Sequence, residues 1–119
     1  MSYTVVDVAD LPAEGPGGAV RFVRRRLGAT AFGINQFELG PGVAGLEHDE
    51  TETGQEEVYV VLRGSGVMRI GEEELELRPG RYVRVEPGVV RQPVAGPDGL
   101  AWIALGAVPG GVYAPRGPF

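Results

Sequence analysis

Glycine or proline falls so often in this chain that no stretch of ten or more residues keeps a convincing helical period: 30 of the 119 residues are one or the other. That share borders on the composition of disordered chains, but 43% of the residues are hydrophobic and the turn-formers are spaced among short apolar runs. A chain punctuated in this way is built of many short strands and tight turns, which predicts an all-β fold. Its length allows one compact domain and leaves little room for a second.

The strand candidates are residues 19–27, 30–39, 46–50, 57–63, 67–70, 74–77, 81–85, 89–94 and 100–107, each bounded by Gly, Pro or a charged turn such as Gly71-Glu72-Glu73. Residues 3–8 add one further candidate. In the second strand Phe32 and Ile34 give way to Phe37 and Leu39, a change of facing that a bulge near Gln36 would produce. An antiparallel barrel, or a jelly roll of two antiparallel sheets, is the economical architecture. Residues 1–18 read as an N-terminal arm, 19–107 as the barrel, and 108–119, with three of the ten prolines, as an extended C-terminal tail.

Absent residue types remove whole classes of chemistry. Without cysteine there is no disulfide, no thiolate zinc site and no cysteine nucleophile, and with one histidine any metal centre must be built mainly from carboxylates. The net charge of −5 argues against nucleic acid as a partner, so Arg24-Arg25-Arg26 reads as a solvated strand edge. The longest apolar run, residues 100–108, is interrupted by Gly106 and too short to cross a bilayer, so no membrane role is expected. The amino terminus makes a poor secretory signal, and a cytoplasmic location is the expectation.

The strand at 57–63 is apolar on both faces, with Tyr59 and Val61 on the side of Glu57 and Val58, Val60 and Leu62 on the other. One face lines the barrel and the other needs another layer or subunit, which predicts a homodimer.

The spacing of two further motifs resembles that of the cupins, small β-barrel proteins. The first cupin motif is matched by Gly42, His48 after five residues, Glu50 after one more, Glu57 after a longer gap, and Gly64 after six. The second is matched by Gly80, Gly88 and Arg91, with Pro87 displaced by one because Glu86 holds the usual proline position and with Ala95 where the motif has Asn. The resemblance covers residues 30–107 and implies the cupin double-stranded β-helix. In that family three histidines and a glutamate hold a divalent metal. His48 and Glu57 match that set, Glu50 stands in the second histidine slot with Glu52 or Gln55 as alternatives, and Arg91 replaces the third histidine.

Two arrangements are open. Arg91 can replace the metal as the positive charge, pairing with Glu57 or Glu50 and leaving donors for a ligand carboxylate or phosphate. Alternatively His48, Glu50 and Glu57 hold Mn, Fe, Zn or Ni, with Arg91 turned toward substrate, as in a dioxygenase or isomerase. The first is favoured and predicts a cupin that binds a small anionic or polar molecule in its cavity without a cofactor, through His48, Glu57, Arg91, Tyr59 and Gln55. A structural or regulatory module with a vestigial pocket is the third reading, and Tyr59 and Trp102 are expected to line the core or cavity.

Overall fold

A computed structural model describes residues 2–119. Its strands are β1 (Val20–Arg21), β2 (Gly33–Leu39), β3 (Glu56–Ile70), β4 (Glu73–Leu77), β5 (Tyr82–Val85) and β6 (Gln92–Ala107), with one short helix, α1 (Val23–Leu27), between β1 and β2. All pairings are antiparallel and join one sheet in the order β1-β2-β6-β3-β4, with β5 on β3. The fold is all-β, as the turn spacing predicts, and no helix among the described residues is long and apolar enough to cross a membrane.

The two facing halves of the expected jelly roll are joined in one hydrogen-bonded sheet, because β3 and β6 run through both. Their ladder is regular from Glu56↔Ala107 to Val61↔Trp102, shifts by Gly64↔Leu100, then resumes from Gly66↔Ala95 to Arg69↔Gln92. At the break β6 carries the extra residues Gly96-Pro97-Asp98-Gly99. A Cβ on Gly64 would collide with the main-chain oxygen of Gly99, and one on Gly66 with that of Val94, so only glycine lets the two strands bend there in step. Beyond the bend the halves share one core: Tyr59, Val61, Val85, Trp102 and Ala104 from one pack with Met68, Leu77 and Ala95 from the other. Trp102 stacks on Phe37 with ring centroids 5.2 Å apart, an arrangement that adds about 1 kcal/mol to the burial itself.

Several other expectations fail for physical reasons. The candidates at 57–63 and 67–70 are one strand, and residues 92–94 of the candidate at 89–94 are one strand with 100–107, since a bend breaks the sequence pattern without ending the pairing. No bulge occurs at Gln36, where β2 pairs with β6 in constant register; Phe32 precedes the strand, so Ile34 and Phe37 simply occupy opposite faces. Residues 3–8 form no strand, and 46–50 contribute only the bridge His48↔Arg91. The run 19–27 is strand for two residues and then helix. Val23 and Leu27 lie one helical turn apart, and Gly28 closes α1 in the left-handed region (φ +74°), a C-cap signature readable in the sequence. The arginine cluster is therefore a helical turn, and its first member, Arg24, is buried.

Candidate functional site

His48 and Arg91 face each other in an isolated antiparallel bridge and exchange both main-chain hydrogen bonds, at 3.0 and 2.9 Å. Directly opposed residues of such a pair send their side chains to the same face. Glu50 is brought alongside because its N–H donates to the Pro87 carbonyl at 2.8 Å. Glu57 and Tyr59, two residues apart on β3, supply the facing groups.

These side chains form one network. The Arg91 NH2 group donates to Glu57 Oε1 at 2.6 Å and its Nε to the Tyr59 hydroxyl at 3.1 Å, while Tyr59 donates to the same Glu57 oxygen at 2.8 Å. Arg91 NH1 donates to the carbonyls of Val89 (2.8 Å) and Glu86 (3.4 Å). His48 Nε2 lies 3.4 Å from Glu57 Oε1 and 3.5 Å from Glu50 Oε1, and Thr53 donates to the other Glu50 oxygen at 2.8 Å. The Arg91 side chain has no exposed surface, whereas that of His48 keeps 29% and marks the mouth of the site. Arg91 and Glu57 are not cross-strand neighbours: Arg91 lies just before the half of β6 that pairs with Arg69, so its guanidinium ties one half of the folded sheet to the other.

The electrostatics follow from that geometry. Hydrogen bonds to Glu50 and then Glu57 raise the His48 pKa to about 9 against the cost of its burial. Burial pushes the Glu57 carboxyl up, but hydrogen bonds from His48, Arg91 and Tyr59 outweigh it and hold the group below its ordinary value. Burial, then the Glu57 charge, pushes the Tyr59 phenol far up, so it stays a donor. His48 and Arg91 are thereby held positive and Glu57 negative at pH 7.

A test of this balance is stability against pH. A group whose folded pKa is raised contributes stability that is complete below its unfolded pKa and lost as pH rises through the folded one. His48 therefore supplies stability below pH 6.5, about 1–2 kcal/mol after screening of its part-exposed ring by solvent, that disappears by about pH 9. Urea midpoints should fall across that window, and His48→Gln should flatten the slope; an unchanged slope in the variant would remove His48 as its source.

The structure places the expected site residues unequally. It brings His48, Glu50, Glu57, Tyr59 and Arg91 together. Gln55 lies instead over Gly106, and it borders a surface recess of about 320 Å³ together with Glu52, whose carboxylate pairs with Arg116 at 2.9 Å. Trp102 is core, 6.4 Å from the Tyr59 ring. Thr53 and the Val89 and Glu86 carbonyls complete the network. Main-chain acceptors leave no mark in sequence, and a threonine in a turn three residues after Glu50 reads as turn chemistry.

His48, Glu50 and Glu57 each offer one ligand atom within 4.8 Å of the others, a group that could hold a metal ion. Its donor set is a poor match for a divalent cation. One imidazole remains, it must give up a proton held to about pH 9, and Glu57 Oε1 already receives Arg91 and Tyr59. A guanidinium about 5 Å from a divalent ion is repelled by roughly 6 to 7 kcal/mol at an effective dielectric of about 20.

The barrel and its motif positions define a cupin, and a family model described as the Cupin domain matches residues 35–104. The chain belongs to the cupin family. Among solved structures it is similar to a cupin protein from Bacteroides fragilis (22% identity, 98% of this chain and 92% of that one, TM-score 0.77). It is also similar to a cupin 2 conserved barrel domain protein from Salinispora arenicola (18% identity, 89% and 87% covered, TM-score 0.68). A predicted oxalate decarboxylase from Thermotoga maritima shares the fold at 17% identity, with 88% and 99% covered and a TM-score of 0.71. No curated protein matches the chain.

Proposed function

We propose that this cupin binds a small polar molecule at the mouth of its barrel without metal chemistry. The observation that carries the reading is the buried Arg91–Glu57 pair at 2.6 Å, which puts a fixed positive charge where the family holds its metal. Arg91 donates through every nitrogen to protein acceptors and has no exposed surface, which argues against the anionic ligand expected from the sequence. The groups left to a ligand are His48, Glu50 and the second oxygen of Glu57, so a neutral molecule rich in hydroxyl or amide donors suits the site best. Metal analysis of protein purified without added metal tests this. Substoichiometric metal is expected; one tightly held ion per chain would overturn it.

The second reading, a metal-dependent enzyme of dioxygenase or isomerase type, draws on the 4.8 Å grouping of His48, Glu50 and Glu57. The predicted oxalate decarboxylase shares only the fold with this chain and adds nothing about its substrate.

A homodimer belongs to the same proposal. Val58 and Val60 are half-buried on the outer side of β3, and Leu62 and Tyr82, the β5 partner of Val60, are exposed at 39% and 71%. A second copy of this face is the proposed cover. Sedimentation at micromolar concentration is expected to show about twice 12.6 kDa, and Val60→Glu to shift it to the single chain. A wild-type chain that sediments alone removes the dimer.

A further inference from the structure

The far end of β2 carries a second group of polar side chains that the His48 cluster does not use. Gly33 and Asn35 lie on the inner face with Phe37 and Leu39, and the missing side chain at Gly33 makes room for the tail. A Cβ there would stand 3.1 Å from the Tyr113 hydroxyl and 3.6 Å from the Phe119 main-chain oxygen. Arg24 reaches this space from α1 and is only 8% exposed. Its Nε donates to the Phe119 oxygen at 2.7 Å, its NH2 to the Gly117 oxygen at 3.1 Å, and its NH1 to the Ala29 carbonyl at 3.2 Å. Asn35 Nδ2 (3.5 Å) and the Tyr113 hydroxyl (3.1 Å) also donate to the Phe119 oxygen. The Phe119 ring meets Phe22 edge-on, with centroids 5.0 Å apart.

Three features of this arrangement specify a ligand. The Nε–NH2 edge of a guanidinium is the fork that grips both oxygens of a carboxylate, and here it is filled by two oxygens from separate residues. Among the described residues no Asp or Glu side chain pairs with Arg24: its acceptors are the main-chain oxygens of Ala29, Gly117 and Phe119, and a ligand carboxylate would take the place of the last two. Asn35 is 5% exposed, and its Oδ1 is buried without a partner beside the Nδ2 that donates to the Phe119 oxygen. We propose that Arg24, Asn35 and Phe22 form a binding site for a carboxylate that bears an aromatic ring and a neighbouring hydroxyl or amine, and that residues 108–119 fill this site in cis until such a molecule displaces them. The site shares no side chain with the His48 cluster and does not depend on what that cluster binds.

The probe is 3-phenyllactate, titrated calorimetrically into the full chain and its variants, with amide hydrogen exchange read in parallel. Saturating probe is expected to raise exchange in residues 108–119 while β3 and β6 stay protected. Phe119→Ala removes the competing ring and leaves the receptor side intact, so it should bind the probe about tenfold tighter than the parent. 3-Phenylpropionate, which lacks the hydroxyl for Asn35 Oδ1, should bind about fivefold more weakly. Arg24→Gln should lose at least tenfold; if that variant does not fold, Phe119→Ala still decides. Absence of probe binding by Phe119→Ala, or binding that leaves exchange in the tail unchanged, overturns the proposal.

Discussion

Replacing Arg91 with alanine is expected to destabilise the fold by about 3–5 kcal/mol, the range found when one partner of a buried ion pair is removed. The size follows from what is left behind. Glu57 would lose its 2.6 Å donor, Tyr59 an N–H donor to its hydroxyl, and the Val89 carbonyl the partner at 2.8 Å, all around a side chain with no exposed surface. The tie between the two halves of the sheet would go as well. Arg91→Lys keeps the charge but offers one nitrogen in place of three and should recover less than half of the loss. Chemical denaturation of both variants at pH 7 measures this. A loss below about 1 kcal/mol in the alanine variant would show that Arg91 is not what closes the barrel interior.

How much of this was legible in the sequence depended on whether local spacing or a long-range path carried the information. The strands were readable because β-strand alternation and glycine turns are local, and the cupin motif positions placed His48, Glu50, Glu57 and Arg91 within reach of one another. The continuity of β3 and β6 through the bend was not, since Gly64-Ser65-Gly66 and Gly96-Pro97-Asp98-Gly99 carry turn residues that serve equally well to end strands or to bend them. Glu50 could not be separated from Glu52 or Gln55 by counting residues. The choice rests on a main-chain bond from Glu50 to Pro87, 37 positions away, which turns one carboxylate inward and leaves Glu52 to Arg116 at the surface. Arg91 was legible as a departure from the family, but its full enclosure was not, because three of its acceptors are a tyrosine 32 residues earlier and two main-chain carbonyls. Arg24 was misread for the opposite reason: a run of three arginines signals solvent, and nothing local shows that the first turns back under the tail.

Arg91→His is expected to raise affinity for nickel, manganese or zinc at least about 100-fold over the parent. Two changes act in the same direction. The substitution removes a guanidinium whose repulsion of a divalent ion is worth several kcal/mol at this range even after screening, and it releases Glu57 Oε1 from its shortest hydrogen bond. It also adds a second imidazole on the strand segment that already bridges to His48, so the donor set becomes two histidines and two glutamates, which suits a borderline metal. The histidine variant forfeits the buried pair, so its stability should drop without metal and recover when metal is added, by the linkage that makes any ligand of the folded state stabilising. Calorimetric titration and thermal midpoints with and without nickel read both effects. The chelated and metal-loaded forms of the parent should differ little. Equal metal affinity in parent and variant would mean that Arg91 does not stand in the metal's place, and His48, Glu50 and Glu57 would then be read as the ligands of a working metal centre, with Arg91 as a wall residue that the ion tolerates.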